Sequence, residues 1–222
     1  MKDYSKFYRT DDPRDVPLYG ATEAAQIIRG IPVSTLRSWF SGKTSVLHPA
    51  KARPVTLSFN DLIEASVLRV LRVTYKVQLE SVRDAIDVAK RELKVERPLL
   101  HEHLYTDGAH LILKHYGEFV QLSRSKQLLM ETLLNDQIQR IDWDSDSLAQ
   151  RLYPEIAGYS GQKHVCVDPL LYFGQATVSD KKISTNVIYV RFNDGETVED
   201  LQADYDLTEP EVTSAIVFEE AA

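Results

Sequence analysis

The sequence predicts an α+β protein, mainly helical. An N-terminal winged helix-turn-helix leads into a middle hairpin plus helix, and a small C-terminal module of strands and a second helix-turn-helix outline closes the chain. Three observations predict this. Two short segments with apolar stripes flank the turn formers Gly30 and Pro32. Two strongly periodic runs follow a basic, turn-rich stretch. Beyond residue 164, β-branched residues replace helical periodicity before two short segments open on Thr197 and Thr208. The expected divisions are a flexible arm at 1–18, a winged helix-turn-helix domain at 19–97, a hairpin and helix at 98–141, a linker at 142–163 and a C-terminal domain at 164–222.

Residues 1–18 are polar and mixed in charge, as a loose arm is. In "YGATEAAQIIRG", Thr22 stands as an N-cap, and Ala24, Ala25, Ile27 and Ile28 make one stripe. Gly30 stops that helix and Pro32 prevents a smooth continuation. Ser34 can cap a second helix running to about Phe40. Its geometry puts Val33, Leu36, Trp39 and Phe40 on one side and leaves Ser34, Thr35, Arg37 and Ser38 on the other. "SGKTSVLHPAKARPVTLSF" then reads as a hairpin or wing. Asn60 caps "DLIEASVLRVLRVTY", with Leu62, Ile63, Val67, Leu68, Val70 and Leu71 inward, and "LESVRDAIDVAKREL" is a further helix.

Past Pro98, "HLYTDGAHLILKHYGEFVQL" places strand-like residues around Asp107-Gly108 and Tyr116-Gly117, which predicts a hairpin. "SRSKQLLMETLLNDQIQRI" is a helix capped by Ser123 or Ser125, and Asp142 to Ser147 is an acidic linker. The second module has turns at Asp180-Lys181 and Asn193-Asp194-Gly195. Its two final helices, "TVEDLQADY" and "TEPEVTSAIVFEE", take Thr197 and Thr208 as N-caps, with Pro210 tolerated in the first turn.

Composition excludes several function classes. No apolar run approaches the ~20 residues of a membrane span, and the polar N-terminus has no secretory h-region. A single cysteine, Cys166, rules out an internal disulfide framework and suits a reducing cytoplasm. No P-loop, Gly-x-Gly-x-x-Gly or Gly-x-Ser-x-Gly is present. His101, Glu102 and His103, with His110 and His115, gain no cysteine or carboxylate cluster to complete a metal set. Cys166, between valines, reads as a small buried residue. Neither an enzyme nor a cofactor is expected.

The net charge of -7 hides an asymmetry. Arg29 to Asn60 holds Arg29, Arg37, Lys43, Lys51 and Arg53 and not one Asp or Glu, whereas Asp194 to Ala222 carries only acidic charge. Such polarity points to a nucleic-acid face at one end and a solvated or protein-facing module at the other; two ordinary solvated faces are the plainer alternative. On a duplex, Thr35, Arg37 and Ser38 are expected in the major groove and Ser34 near a phosphate, with Lys43, Lys51 and Arg53 on the backbone. Arg37 is the expected direct reader, since a guanidinium takes guanine O6 and N7 together.

"YGATEAAQIIRGIPVSTLRSWF" resembles the DNA-binding half of MerR-type regulators, whose second helix reads Ser-Thr-Leu-Arg-x-Trp; the match covers roughly residues 19–95. The chain departs from that family where a long dimerising coiled coil would follow. "VDPLLYFGQATVSDKKISTNVIYVRFNDGETVEDLQADYDLTEPEVTSAIVFEE" resembles a small bacterial domain family encoded beside PIN-like ribonuclease toxins. Together the halves resemble VapB-type antitoxins with an N-terminal helix-turn-helix. The resemblance implies a type II antitoxin that neutralises a PIN-like ribonuclease toxin and represses its own operator DNA. In that picture Asp200, Asp204, Asp206 and Glu209 complement a basic toxin, with Tyr205 or Phe218 as apolar anchors. A homodimer is expected, paired through residues 98–141. The alternative is a stand-alone MerR-like transcription regulator, its small-molecule effector bound near Tyr105, His115, Tyr116 and Phe119.

Overall fold

The structure, a computed structural model, describes residues 12–41, 45–74, 78–93, 97, 100, 132, 135–146, 148–159, 161–179 and 181–220. The expected middle hairpin and most of the helix after it lie outside the described residues. So do Lys43, His101, His103, Tyr105, His110, His115, Tyr116 and Phe119.

Helices α1 (Ala21–Ile28) and α2 (Val33–Phe40) are the expected pair. Arg29 and Gly30, at φ of 56° and 69°, turn the chain between them. The N-caps differ from expectation. Gly20 and Pro32 occupy those positions, and Thr22 and Ser34 fall inside the first turns. Extended backbone at both cap residues enters each helix directly, with no side-chain cap.

Strands β1 (Tyr19–Gly20), β2 (Lys51–Ala52) and β3 (Val55–Leu57) form an antiparallel sheet in the order β1-β3-β2, so the expected basic hairpin is present, turning at Arg53 and Pro54. Helix α3 (Phe59–Arg69) begins one step before its expected cap. Ser58 Oγ accepts the Asp61 amide at 3.1 Å and Asp61 returns an acceptor to the Ser58 amide at 2.9 Å. Asn60 instead donates its side-chain amide to Asp15 at 2.7 Å. A π-turn, Val70–Thr74, extends α3, and α4 spans Leu79–Leu93.

Two expected irregular segments are structured. Arg14 is buried and bridges Asp12 at 2.6 Å and Asp144 at 2.9 Å, so residues 12–18 pack against the body instead of forming an arm. The expected linker, 142–163, runs from within β4 (Ile141–Trp143) through β5 (Ala149–Leu152). Its acidic run is the hairpin turn: Asp144 Oδ1 accepts the amides of Asp146 at 2.8 Å and Leu148 at 3.0 Å. With β6 (Val165–Val167), β7 (Ala176–Val178) and β8 (Ile183–Ser184) these make a five-stranded antiparallel meander.

Helix α5 (Thr185–Asn193) replaces strand expected from the β-branched run. Thr185 and Ile188 are buried one helical turn apart, whereas Val187 and Val190 face outward. Packing of that stripe overrides β-propensity. Helices α6 (Val198–Tyr205) and α7 (Glu209–Glu220) follow as expected, with Thr197 closing a capping box on Asp200. One core joins Leu36, Trp39, Leu57 and Leu62 to Leu152, Val165, Val167 and Phe218. A smaller one gathers Val178, Ile188, Leu201, Val212 and Ile216.

Candidate nucleic-acid interface and acidic surface

The sequence of α2 divides it into two working sides. Leu36, Trp39 and Phe40 are buried, and the amides of Val46 and Leu47 both donate to the Trp39 carbonyl at 3.0 Å, folding the following chain back under the helix. Burial of that side fixes what the other presents. Ser34, Arg37 and Ser38 are exposed and Thr35 is half-buried. Ser38 Oγ donates to the Thr35 carbonyl at 2.6 Å, which engages its proton and leaves its oxygen lone pairs outward. The first-turn N–H groups of α2 carry no side-chain cap, the arrangement in which a helix N-terminus accepts an anion.

Lys51 and Arg53 are exposed on the β2–β3 hairpin. Among the described residues, none of Arg37, Lys51 and Arg53 has a carboxylate within bridging distance. Uncompensated cations on the hairpin and on the polar face of the helix contribute a field suited to phosphates. Arg29, in the same basic stretch of sequence, belongs to the interior instead. Its Nη2 donates to the Phe218 carbonyl at 2.6 Å, and its guanidinium lies 4.9 Å from the centroid of the Phe218 ring. Burial holds its pKa below the ordinary arginine value. Arg29 thereby clamps the last turn of α7, supplying donors to helix-end carbonyls.

That clamp corrects one expectation directly. Phe218 is 2% exposed and sits in the shared core, so it is no surface anchor. Tyr205 is half-buried beneath Arg191, whose guanidinium lies 5.0 Å from its ring centroid. The acidic surface is also less one-sided than its sequence. Asp204 pairs with Arg191 at 2.5 Å, Asp206 pairs with Lys181, and Asp200 is held by Thr197. The hydrogen bond from the Thr197 hydroxyl keeps Asp200 below its ordinary pKa, and that from Lys181 does the same for Asp206. Glu209 remains exposed at the start of α7, as Glu199 does on α6.

A feature with no usable signal in the sequence lies on the preceding loop. Tyr172 and Phe173 adopt φ of 45° and 56°, and Phe173 is 85% exposed. An apolar run such as "PLLYFG" reads as buried. Left-handed backbone at two successive bulky residues is rare, and each such residue costs about 1–2 kcal/mol. Cys166, by contrast, is where it was expected: fully buried, with burial pushing its thiol pKa up. No group of histidine, cysteine and carboxylate side chains among the described residues could hold a metal, and no helix among them is long and apolar enough to cross a membrane.

Comparison with known proteins bears on both halves. The chain is similar to the uncharacterised protein Rv2308 of Mycobacterium tuberculosis (strain ATCC 25618 / H37Rv), 24% identical over 218 residues that cover 91% of this chain and 90% of the relative. The crystal structure of Rv2018 from Mycobacterium tuberculosis matches with a TM-score of 0.70 at 22% identity, over 90% of this chain and 98% of that one. At that identity the likeness is one of fold, and it runs through both halves. The model of a family described as protein of unknown function, DUF433, matches residues 165–218, the stretch from the first residue of β6 to Phe218 in α7.

Proposed function

We propose that this protein is a DNA-binding antitoxin, a homodimer that occupies its own operator through α2 and the β2–β3 hairpin and neutralises a PIN-like ribonuclease toxin through its C-terminal module. The observation that carries the reading is the outward side of α2, with Ser34, Arg37 and Ser38 exposed and Thr35 half-buried, together with the exposed cations Lys51 and Arg53, which form no ion pair among the described residues. The C-terminal half enters through its resemblance to domains encoded beside such toxins. A cytoplasmic location accords with a single reduced, buried cysteine.

With Phe218 inside, Phe173 takes the role of apolar anchor, and Glu199 and Glu209 supply the charge that steers a basic partner. The DNA half is tested by fluorescence anisotropy on the DNA upstream of the gene. Arg37→Ala is expected to cost about 1–3 kcal/mol and relax sequence preference, whereas Lys51→Ala weakens all duplexes alike and lowers the salt slope by about 1. Wild-type affinity in both variants would remove this face from consideration. The toxin half is tested by co-expression with the neighbouring gene product, scored by growth and co-purification. The double change Glu199→Lys and Glu209→Lys should abolish capture while leaving operator binding intact. Reversal of Asp200 or Asp204 would be a less direct test, since it would also break a helix cap or an ion pair.

A further inference from the structure

A cleft among the described residues lies neither on the α2 face nor on the acidic helices. It encloses about 550 Å³ between the end of α3, residues 136–140 and the segment 155–163, and Arg69, Gln137, Arg140, Glu155 and Lys163 line it. Its polar groups are under-bonded. Arg69 Nε is shut off from solvent with no hydrogen-bond partner. The Nη2 of the same side chain makes a long contact, 3.5 Å, to Gln137 and an ion pair, 3.2 Å, with Glu155. Gln137 is 5% exposed. Among the described residues the Arg140 side chain donates only to the Pro154 carbonyl, at 3.4 Å, and bridges no carboxylate. Lys163 is already held, 2.9 Å from Asp142 and over the Tyr153 ring. Buried polar groups in folded proteins are ordinarily satisfied, and a set left short of partners around an open cleft calls for a ligand to complete it. The π-turn that starts at Val70, another lining residue, is a feature that recurs at functional sites.

We infer that this cleft binds a small organic anion, its phosphate or carboxylate group taken by the guanidinium groups of Arg69 and Arg140 with the Gln137 amide beside them. Two planar guanidinium forks match the oxygen pairs of such groups, which a lysine does not. Asp136, exposed at the cleft, and Glu155 leave room for a positive or hydrogen-bond-donating part of the same molecule. Arg69 also reaches the α1–α2 turn, since a Cβ built on Gly30 would stand 3.5 Å from its Nη1. Drawing that guanidinium toward an anion alters the packing under the turn, whether or not α2 reads DNA.

Isothermal titration of the full-length protein with inorganic phosphate probes the shared chemistry; adenosine monophosphate and citrate separate a phosphomonoester from a carboxylate source. Saturable binding is expected with a Kd below about 1 mM for at least one of them, and Arg140→Gln should weaken it about tenfold. Lys182→Gln, an exposed cation elsewhere, should leave it unchanged. Circular dichroism and the unfolding midpoint establish that the Arg140 variant is folded. Binding should also slow hydrogen exchange at Gly30 and Ile31. Failure of all three anions to bind, or wild-type affinity in Arg140→Gln, overturns the site. Binding without any change in exchange at the turn overturns the link through Arg69.

Discussion

Gly174 shows how far one side chain can decide the packing around it. Its φ is +78°, and a Cβ there would stand 2.1 Å from the Tyr19 hydroxyl oxygen and 2.9 Å from Cζ of the ring. Tyr19 cannot yield easily, being 1% exposed in the main core. Gly174→Ala therefore combines backbone strain with overlap and should lower stability by on the order of 1–3 kcal/mol, seen as a lower urea midpoint at unchanged slope. The Tyr19 hydroxyl has no hydrogen-bond partner, and burial pushes its pKa far above the ordinary value. Tyr19→Phe removes that unsatisfied group and should be neutral or stabilising in the same assay. Next to Gly174, Phe173 carries left-handed strain with an exposed ring. Phe173→Asn, a residue that tolerates this backbone, should raise the midpoint and, on the proposed function, reduce toxin capture. A fall in both would mean that the ring supports the loop instead of a partner.

Among elements, the segment 12–18 is the one whose stability answers to pH. Burial of Asp12 raises its pKa, but the side-chain and backbone hydrogen bonds and the charge of Arg14 outweigh it and hold the carboxyl below the ordinary value. A depressed folded pKa means that this contribution is complete above the unfolded value of about 3.9 and fades as pH falls through the folded one. Acidification below about pH 4 should therefore release this segment. The Leu18 amide, which donates to the Leu57 carbonyl at 3.0 Å, should lose exchange protection at low pH, and Asp12→Asn should remove that dependence. Protection of Leu18 that does not change with pH in the wild type would refute the account. The sequence disclosed little of this segment, because its anchor is the contact of Arg14 with Asp144, far away in the chain. It was most legible where local pattern and packing agree: the stripe of α2, the caps Thr197 and Thr208, and the basic hairpin. It misled in α5, where Val187, Ile188 and Val190 have strand propensity but the buried pair, Thr185 and Ile188, has helical spacing. The candidate site was legible in Ser34, Thr35, Arg37 and Ser38 for the same reason, since an apolar stripe determines its opposite face. Pairing of Asp204 and Asp206 was not, because Arg191 and Lys181 reach them from other elements.

Across the whole molecule, the two halves that composition separates are joined by α7. Val212, Ala215 and Ile216 enter the smaller core with Ile188 and Leu201, while Phe218 enters the larger one with Trp39, Leu57 and Val165. Arg29 and Gln26 of the N-terminal half then bond to the last turn of α7, at 2.6 Å and 3.4 Å from the Phe218 carbonyl. An element committed to two cores in this way cannot unfold from one without disturbing the other. The chain is therefore expected to unfold in a single transition, with tryptophan fluorescence, which reports Trp39 and Trp143 against the larger core, coinciding with far-UV circular dichroism, which reports all the helices. Phe218→Ala removes a buried ring from the junction and should cost about 3–5 kcal/mol, lowering both signals together. Two resolved transitions, or a variant in which fluorescence shifts while the helical signal keeps its midpoint, would show that the halves are energetically independent. On the proposed function, operator and toxin binding would then have no route of communication through α7, and the C-terminal module would act as a tethered domain whose influence on the N-terminal half is set by proximity alone.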